Sequence, residues 1–161
     1  MSVPLDEKEI DDLRRRLGEL SDRSAVTDLV ARLGVWLDGH GLDDPGTVFT
    51  ADVTAVTPGG VQQGIDAVAA GARGQHSGYA RLQHFTSNVL VDLDGDEASV
   101  RANLVAVFIS GGDRPATRVL VGHYRFGTRR TPQGWRIARL EVLPSWGAPV
   151  DSAALIPSPA A

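Results

Sequence analysis

The chain contains no cysteine. Disulfide staples, thiolate nucleophiles and thiolate metal sites are therefore excluded, and the usage fits a cytoplasmic protein. It also lacks any long apolar run: the longest, Leu104 to Ile109, falls far short of the roughly 20 residues that cross a bilayer. Met1 to Ile10 is acidic and has no apolar stretch, so no secretory leader is expected. Positive charge is in deficit. A formal net charge of −4 gives no overall attraction to nucleic acid. Seven arginines and no acids lie between Arg114 and Arg139, but they spread over several expected strands and read as a solvated outer sheet face. None of the four histidines pairs with another at the i,i+4 helical spacing typical of zinc. No metal and no other cofactor is expected.

What remains is a chain of 161 residues, enough for one compact domain with a sizeable core. Residues 1–20 form a separate amphipathic segment, 21–149 the domain, and 150–161 a small, proline-rich tail. Ile10, Leu13, Leu17 and Leu20 recur at helical spacing over residues 6–20, with acids leading and Arg14-Arg15-Arg16 following. That stripe packs on the parent domain or on a second copy. Ser21 and Asp22 read as a cap or kink before a second helix, Ser24 to Asp38, which Gly39-His40-Gly41 ends. Asp43-Asp44-Pro45 opens a short helix, and Val53 to Thr57 is a strand with a short return at Val61-Gln62-Gln63. A third helix starts at Ile65, with Val68, Ala69 and Ala72 inward. Gly71, Gly74 and Gly78 then make the stretch holding Gln75, His76 and Ser77 read as a loop. From Arg81 the pattern is all strand, broken by turns at Asp94-Gly95-Asp96, Gly111-Gly112-Asp113 and Pro132-Gln133-Gly134. Helices first and an antiparallel meander after them make an α+β layout: a strongly curved sheet wrapped round the helices as a cone with an open mouth.

Two stretches carry chemistry. In Gln83-His84-Phe85-Thr86-Ser87-Asn88, period-2 alternation puts His84, Thr86 and Asn88 on one strand face and Phe85, Ser87, Val89 and Val91 on the other. Three polar side chains in a row suit the wall of a wet or ligand-filled cavity better than dry core; pairing with neighbouring backbone is the plainer alternative. Asp38 closes its helix where unpaired carbonyls disfavour a carboxylate, which is a good setting for a proton acceptor; Asp-Gly is equally a common turn pair. Strand parity does not decide which face of Ala98 to Ser110 is inward, nor whether His123 or Tyr124 reaches the cavity.

The residues resemble the SnoaL-like branch of the nuclear-transport-factor-2-like superfamily. The carriers are Ala25-Val26-Thr27-Asp28-Leu29, Trp36-Leu37-Asp38-Gly39, Val48-Phe49-Thr50-Ala51-Asp52, the His84 stretch, Gly122-His123-Tyr124 and Gly134-Trp135-Arg136-Ile137. They cover roughly Ser21 to Pro149. The resemblance implies the cone fold and a homodimer through the outer sheet face. It further implies a kinship with polyketide cyclases, scytalone dehydratase, limonene epoxide hydrolase and ketosteroid isomerase. In dehydratase-like members an aspartate at the helix end pairs with a histidine on the third strand; Asp38 and His84 match those positions. The second histidine such enzymes carry on the next strand is missing, with Asn103 in that region.

The expectation is a cofactor-independent lyase, isomerase or cyclase acting on a cyclic, partly apolar small molecule, with neither nucleic acid nor membrane as partner. Asp38 and His84 are the expected catalytic pair. Either Asp38 orients His84 as the base, or Asp38 is the base and His84 the donor to an enolate oxygen. Trp36, Asn88, Asn103, His123, Tyr124 and Trp146 are the candidates to contact substrate. A non-catalytic binding or assembly protein on the same fold, as in ring-hydroxylating dioxygenase small subunits, is the competing reading.

Overall fold

The computed structural model describes residues 6–39, 42–112 and 117–150. Helix α1 spans Glu7–Asp38 and α2 spans Ile65–His76, with a single 3-10 turn at Pro45–Thr47. The strands are β1 (Phe49–Thr57), β2 (Gly60–Gln63), β3 (Tyr79–Asp94), β4 (Glu97–Ser110), β5 (Thr117–Thr131) and β6 (Gly134–Val150). Gly41, Asp113 and the expected tail beyond Val150 lie outside the described residues.

A single helix of 32 residues replaces the expected pair. Asp6 and Glu9 cap its start reciprocally. Ser21 and Asp22 do not break it, because neither residue type forbids helical backbone and Asp22 is used from the side. Its carboxylate accepts from Arg130 Nη1 and Nη2 (2.8 and 2.6 Å) and from Trp135 Nε1 (3.1 Å). The N-terminal leucine stripe does not pack on the parent domain: Leu13, Leu17 and Leu20 are exposed. From Val26 onward the helix turns its apolar face to the sheet, burying Val26, Leu29, Val30, Leu33, Trp36 and Leu37.

The strands form one curved, unclosed sheet in the order β2-β1-β6-β5-β4-β3, with α1 and α2 against one face, so the fold is α+β as expected. The sheet is mixed rather than wholly antiparallel. Neighbouring strands run antiparallel except β1 and β6, which are parallel. The chain crosses from β2 through α2 to the far edge at β3, then meanders back until β6 lies beside β1.

The register decides the faces. On β4, Ala98, Val100, Ala102, Leu104 and Ala106 are buried; on β5, Tyr124, Phe126 and Thr128 are. Two irregularities matter. On β3, Ser87 pairs Asn103 and Leu90 pairs Arg101, so β3 carries one extra residue there, with Asn88 at φ 53°. Beyond this bulge the parity flips, and Val89 and Val91 pack on the core instead of sharing the face of Phe85. On β6, Val121 pairs Trp146 and Gly122 pairs Pro144, a second bulge. Here Gly122 is required by space. A Cβ would lie 2.9 Å from Pro144 Cα and closer still to the Leu143 carbonyl oxygen.

Candidate active site

The last turn of α1 meets β3 at His84. The approach is close without demanding glycine at position 34: a Cβ there would stand 3.4 Å from the His84 carbonyl oxygen, an ordinary contact. One turn on, Asp38 takes hold of His84 twice. Its Oδ1 lies 2.7 Å from Nδ1, and the His84 backbone N–H donates to Oδ1 and Oδ2 at 2.9 and 3.1 Å. These donors offset the unfavourable position of a carboxylate at a helix C-terminus. No basic residue sits in that last turn to do so. Because a carboxylate only accepts, Nδ1 carries the hydrogen and Nε2 of the neutral ring is left as acceptor. The His84 side chain is 4% exposed and that of Asp38 25%.

The imidazole forms part of the wall of a cavity of about 370 Å³ between the helices and the sheet. That is the lower end of the size that encloses small organic ligands. Leu104, Ala106, Phe108, Leu120, Leu140 and Val142 supply an apolar lining. Trp36 makes another wall. It is held by Nε1 donating to the Asp43 carbonyl at 3.0 Å and by an edge contact with Phe49, centroids 5.2 Å apart. Tyr124 lines the floor. Burial, reinforced by the nearby Asp38 charge, raises its phenol well above the ordinary range, so it stays protonated and can only donate or accept as O–H. Its ambiguity with His123 is thereby resolved by register.

One wall residue was not among the candidates. The glycines made 71–78 read as a loop, yet α2 continues to His76. The His76 ring stands 5.5 Å from that of His84 and 6.0 Å from Phe108. Its Nδ1 is buried without a partner. Burial above all, then the neighbouring His84, opposed by Asp38, brings its pKa from 6.5 down to about 4. At neutral pH it is an uncharged imidazole facing the cavity. The signal was present: Ile65, Val68, Ala69, Ala72 and His76 continue one helical stripe.

The other candidates do not reach this space. Asn88 is exposed because the bulge turns it out. Asn103 and His123 face each other on the opposite side of the sheet, since their neighbours Ala102, Leu104 and Tyr124 are the buried ones. Trp146 is 55% exposed and pairs Val121 on that same outer face. Phe85 is there too, 53% exposed, so it builds no pocket wall. Trp135 is buried in the core, its ring under the Arg130 guanidinium, 4.7 Å from its centroid. Among the described residues no three His, Asp or Glu side chains gather as a metal would require.

Residues 18–141 match the family model of the SnoaL-like domain. The uncharacterized protein Rv2910c of Mycobacterium tuberculosis is 28% identical over 125 residues, covering 76% of this chain and 85% of its own. Among solved structures, a scytalone dehydratase-like protein of Novosphingobium aromaticivorans is similar with a TM-score of 0.71 at 21% identity, covering 81% of this chain and 88% of its own. A hexachlorocyclohexane dehydrochlorinase of type 2 is similar with a TM-score of 0.72 at 16% identity, covering 84% and 93%. At such identities the two structures share the fold.

Proposed function

This chain belongs to the SnoaL-like family, and on that premise we propose that it is a cofactor-independent acid–base enzyme, a lyase, isomerase or cyclase. Its substrate is a cyclic, polyketide- or steroid-like small molecule. The observation that carries the reading is the 2.7 Å contact between Asp38 and His84 Nδ1 at the wall of an apolar cavity. Kinship of fold with a dehydratase-like protein and a dehydrochlorinase adds to it.

Asp38 keeps the hydrogen on Nδ1, so His84 Nε2 takes the proton from the carbon next to a substrate carbonyl. The electron pair moves onto the carbonyl oxygen, and the Tyr124 O–H is the donor available to that oxygen. The imidazolium then returns the proton to another carbon, completing isomerisation, or to a leaving hydroxyl, completing elimination. The converse reading, with Asp38 as base, is less well supported: both carboxylate oxygens already accept from His84. Positioned acid–base groups contribute roughly 10²–10⁴-fold, sufficient for an already acidic C–H.

Deuterium uptake next to the carbonyl of 2-tetralone, followed by NMR in heavy water, tests the base directly whatever step follows. Exchange above the buffer rate should fall by about 100-fold or more in Asp38→Asn and His84→Gln, with tetralone still bound. No acceleration by the parent protein would favour the non-catalytic binding reading instead.

We also propose a homodimer through the outer sheet face. Phe85, Val105, Val121 and Trp146 lie in one cross-strand row there, three of them exposed. Light scattering should give twice 17.1 kDa for the parent and half that for Trp146→Glu; a monomeric parent would refute it. No described helix is long and apolar enough to cross a membrane. We place the protein in the cytoplasm on its lack of cysteine; recovery in a secreted fraction would argue against that.

A further inference from the structure

We propose that the cavity selects ligands bearing an anionic group, a carboxylate by charge and shape, which Arg118 holds at the mouth. The inference rests on the cavity being a ligand site, and it adds the chemical class of the ligand.

Among the described residues that line the cavity, Arg118 is the one permanently charged side chain. Among the described residues no carboxylate lines it; Asp38 stands behind His84, occupied by that residue's N–H groups. Among the described residues Arg118 has no acid partner, whereas two other arginines of β5 are matched. Arg129 holds Asp52 at 2.6 Å, and Arg130 holds Asp22 at 2.6 Å and Asp96 at 2.8 Å. An unmatched guanidinium beside an apolar chamber loses water when a ligand enters, and only a counter-charge makes that loss favourable. Its planar fork suits two carboxylate oxygens.

The register sets the spacing. Arg118 pairs Phe108, which pairs Leu82; His84 pairs Ala106, which pairs Leu120. Arg118 is thus two strands across and one pleat beyond His84, about 12 Å between Cα atoms. The apolar lining of Phe108 and Leu120 lies between them. A rigid body of two fused rings fits that interval, with its acidic group towards Arg118 and its reacting carbon towards His84. Gln62, Gln75 and Thr57, the last two joined by a 3.1 Å hydrogen bond, complete a polar rim.

The test is calorimetric titration with 2-naphthoate and with 2-naphthamide, which share a ring body and differ in charge. The parent should bind the carboxylate about tenfold more tightly at low salt, with the preference shrinking as salt rises. Arg118→Gln should abolish the preference and leave the amide's affinity in place; Arg118→Lys should keep part of it. The arginine is exposed, so these variants fold, and circular dichroism verifies it. Equal affinities in the parent, or a preference that survives in Arg118→Gln, would overturn the anion site while leaving the Asp38–His84 reading standing. Binding of neither compound would overturn both the anion site and the cavity's role as a ligand chamber.

Discussion

His76 should make the fold acid-sensitive in a way a single substitution removes. Its pKa falls from 6.5 in the unfolded chain to about 4 in the folded one, chiefly through burial. Between those values the unfolded chain binds a proton that the folded chain does not, so stability declines as pH falls from about 6.5 towards 4. The full difference corresponds to at most about 3 kcal/mol. The ring is only half-buried, and solvent screening reduces this to about 2 kcal/mol. Urea unfolding of the parent and of His76→Gln, at steps from pH 7 to pH 4.5, reads the effect as a difference. Groups common to both proteins cancel, and the parent's advantage over the variant should shrink by most of that amount on acidification. A difference that stays flat with pH, or grows as pH falls, would show that the imidazole is not held neutral and would remove the uncharged second imidazole from the description of the site.

Gly122→Ala should cost at least about 2 kcal/mol, because the new methyl meets β6 backbone that cannot yield without breaking the bulge; an unchanged melting temperature would mean that the strands separate there at no cost. Asp22→Asn should cost about 1 kcal/mol at pH 7, through weakened bonds to Arg130 and Trp135. The pKa of Asp22 is lowered, first by Arg130, so its contribution is present above about pH 4 and lost as pH falls below it. Parent and variant should therefore converge in acid, and a cost that persists at pH 2.5 would contradict the ion-pair account.

The elements were largely legible because their signals are local. The alternation along Arg81 to Asp92, the turn at Asp94-Gly95-Asp96 and the leucine and valine spacing of Ser24 to Asp38 each need only a few neighbouring residues. Elsewhere distant contacts decide. Ser21-Asp22 resembles a helix cap in isolation, but Arg130 and Trp135 satisfy Asp22 from across the fold and the helix runs on. The glycines of 71–78 suggested a loop, while packing of Val68, Ala69 and Ala72 carried α2 through to His76. Of the candidate side chains, His84, Trp36 and Tyr124 line the cavity, and Asp38 holds His84 from behind. Asn88, Asn103, His123 and Trp146 do not, each for a reason of register or bulge.

By itself the chain's order of residues determined the α+β class, the strand and helix periods, and the presence of an acid at a helix end and an imidazole on a strand. Only tertiary structure decided that these two meet, that a second imidazole arrives from α2, and that one outer row of β-strand residues is apolar and bare. The reason is physical. Period and capping are properties of neighbours along the backbone, whereas a face is chosen by pairing between strands far apart in sequence. A single inserted residue, as at Asn88, turns every side chain beyond it to the other side.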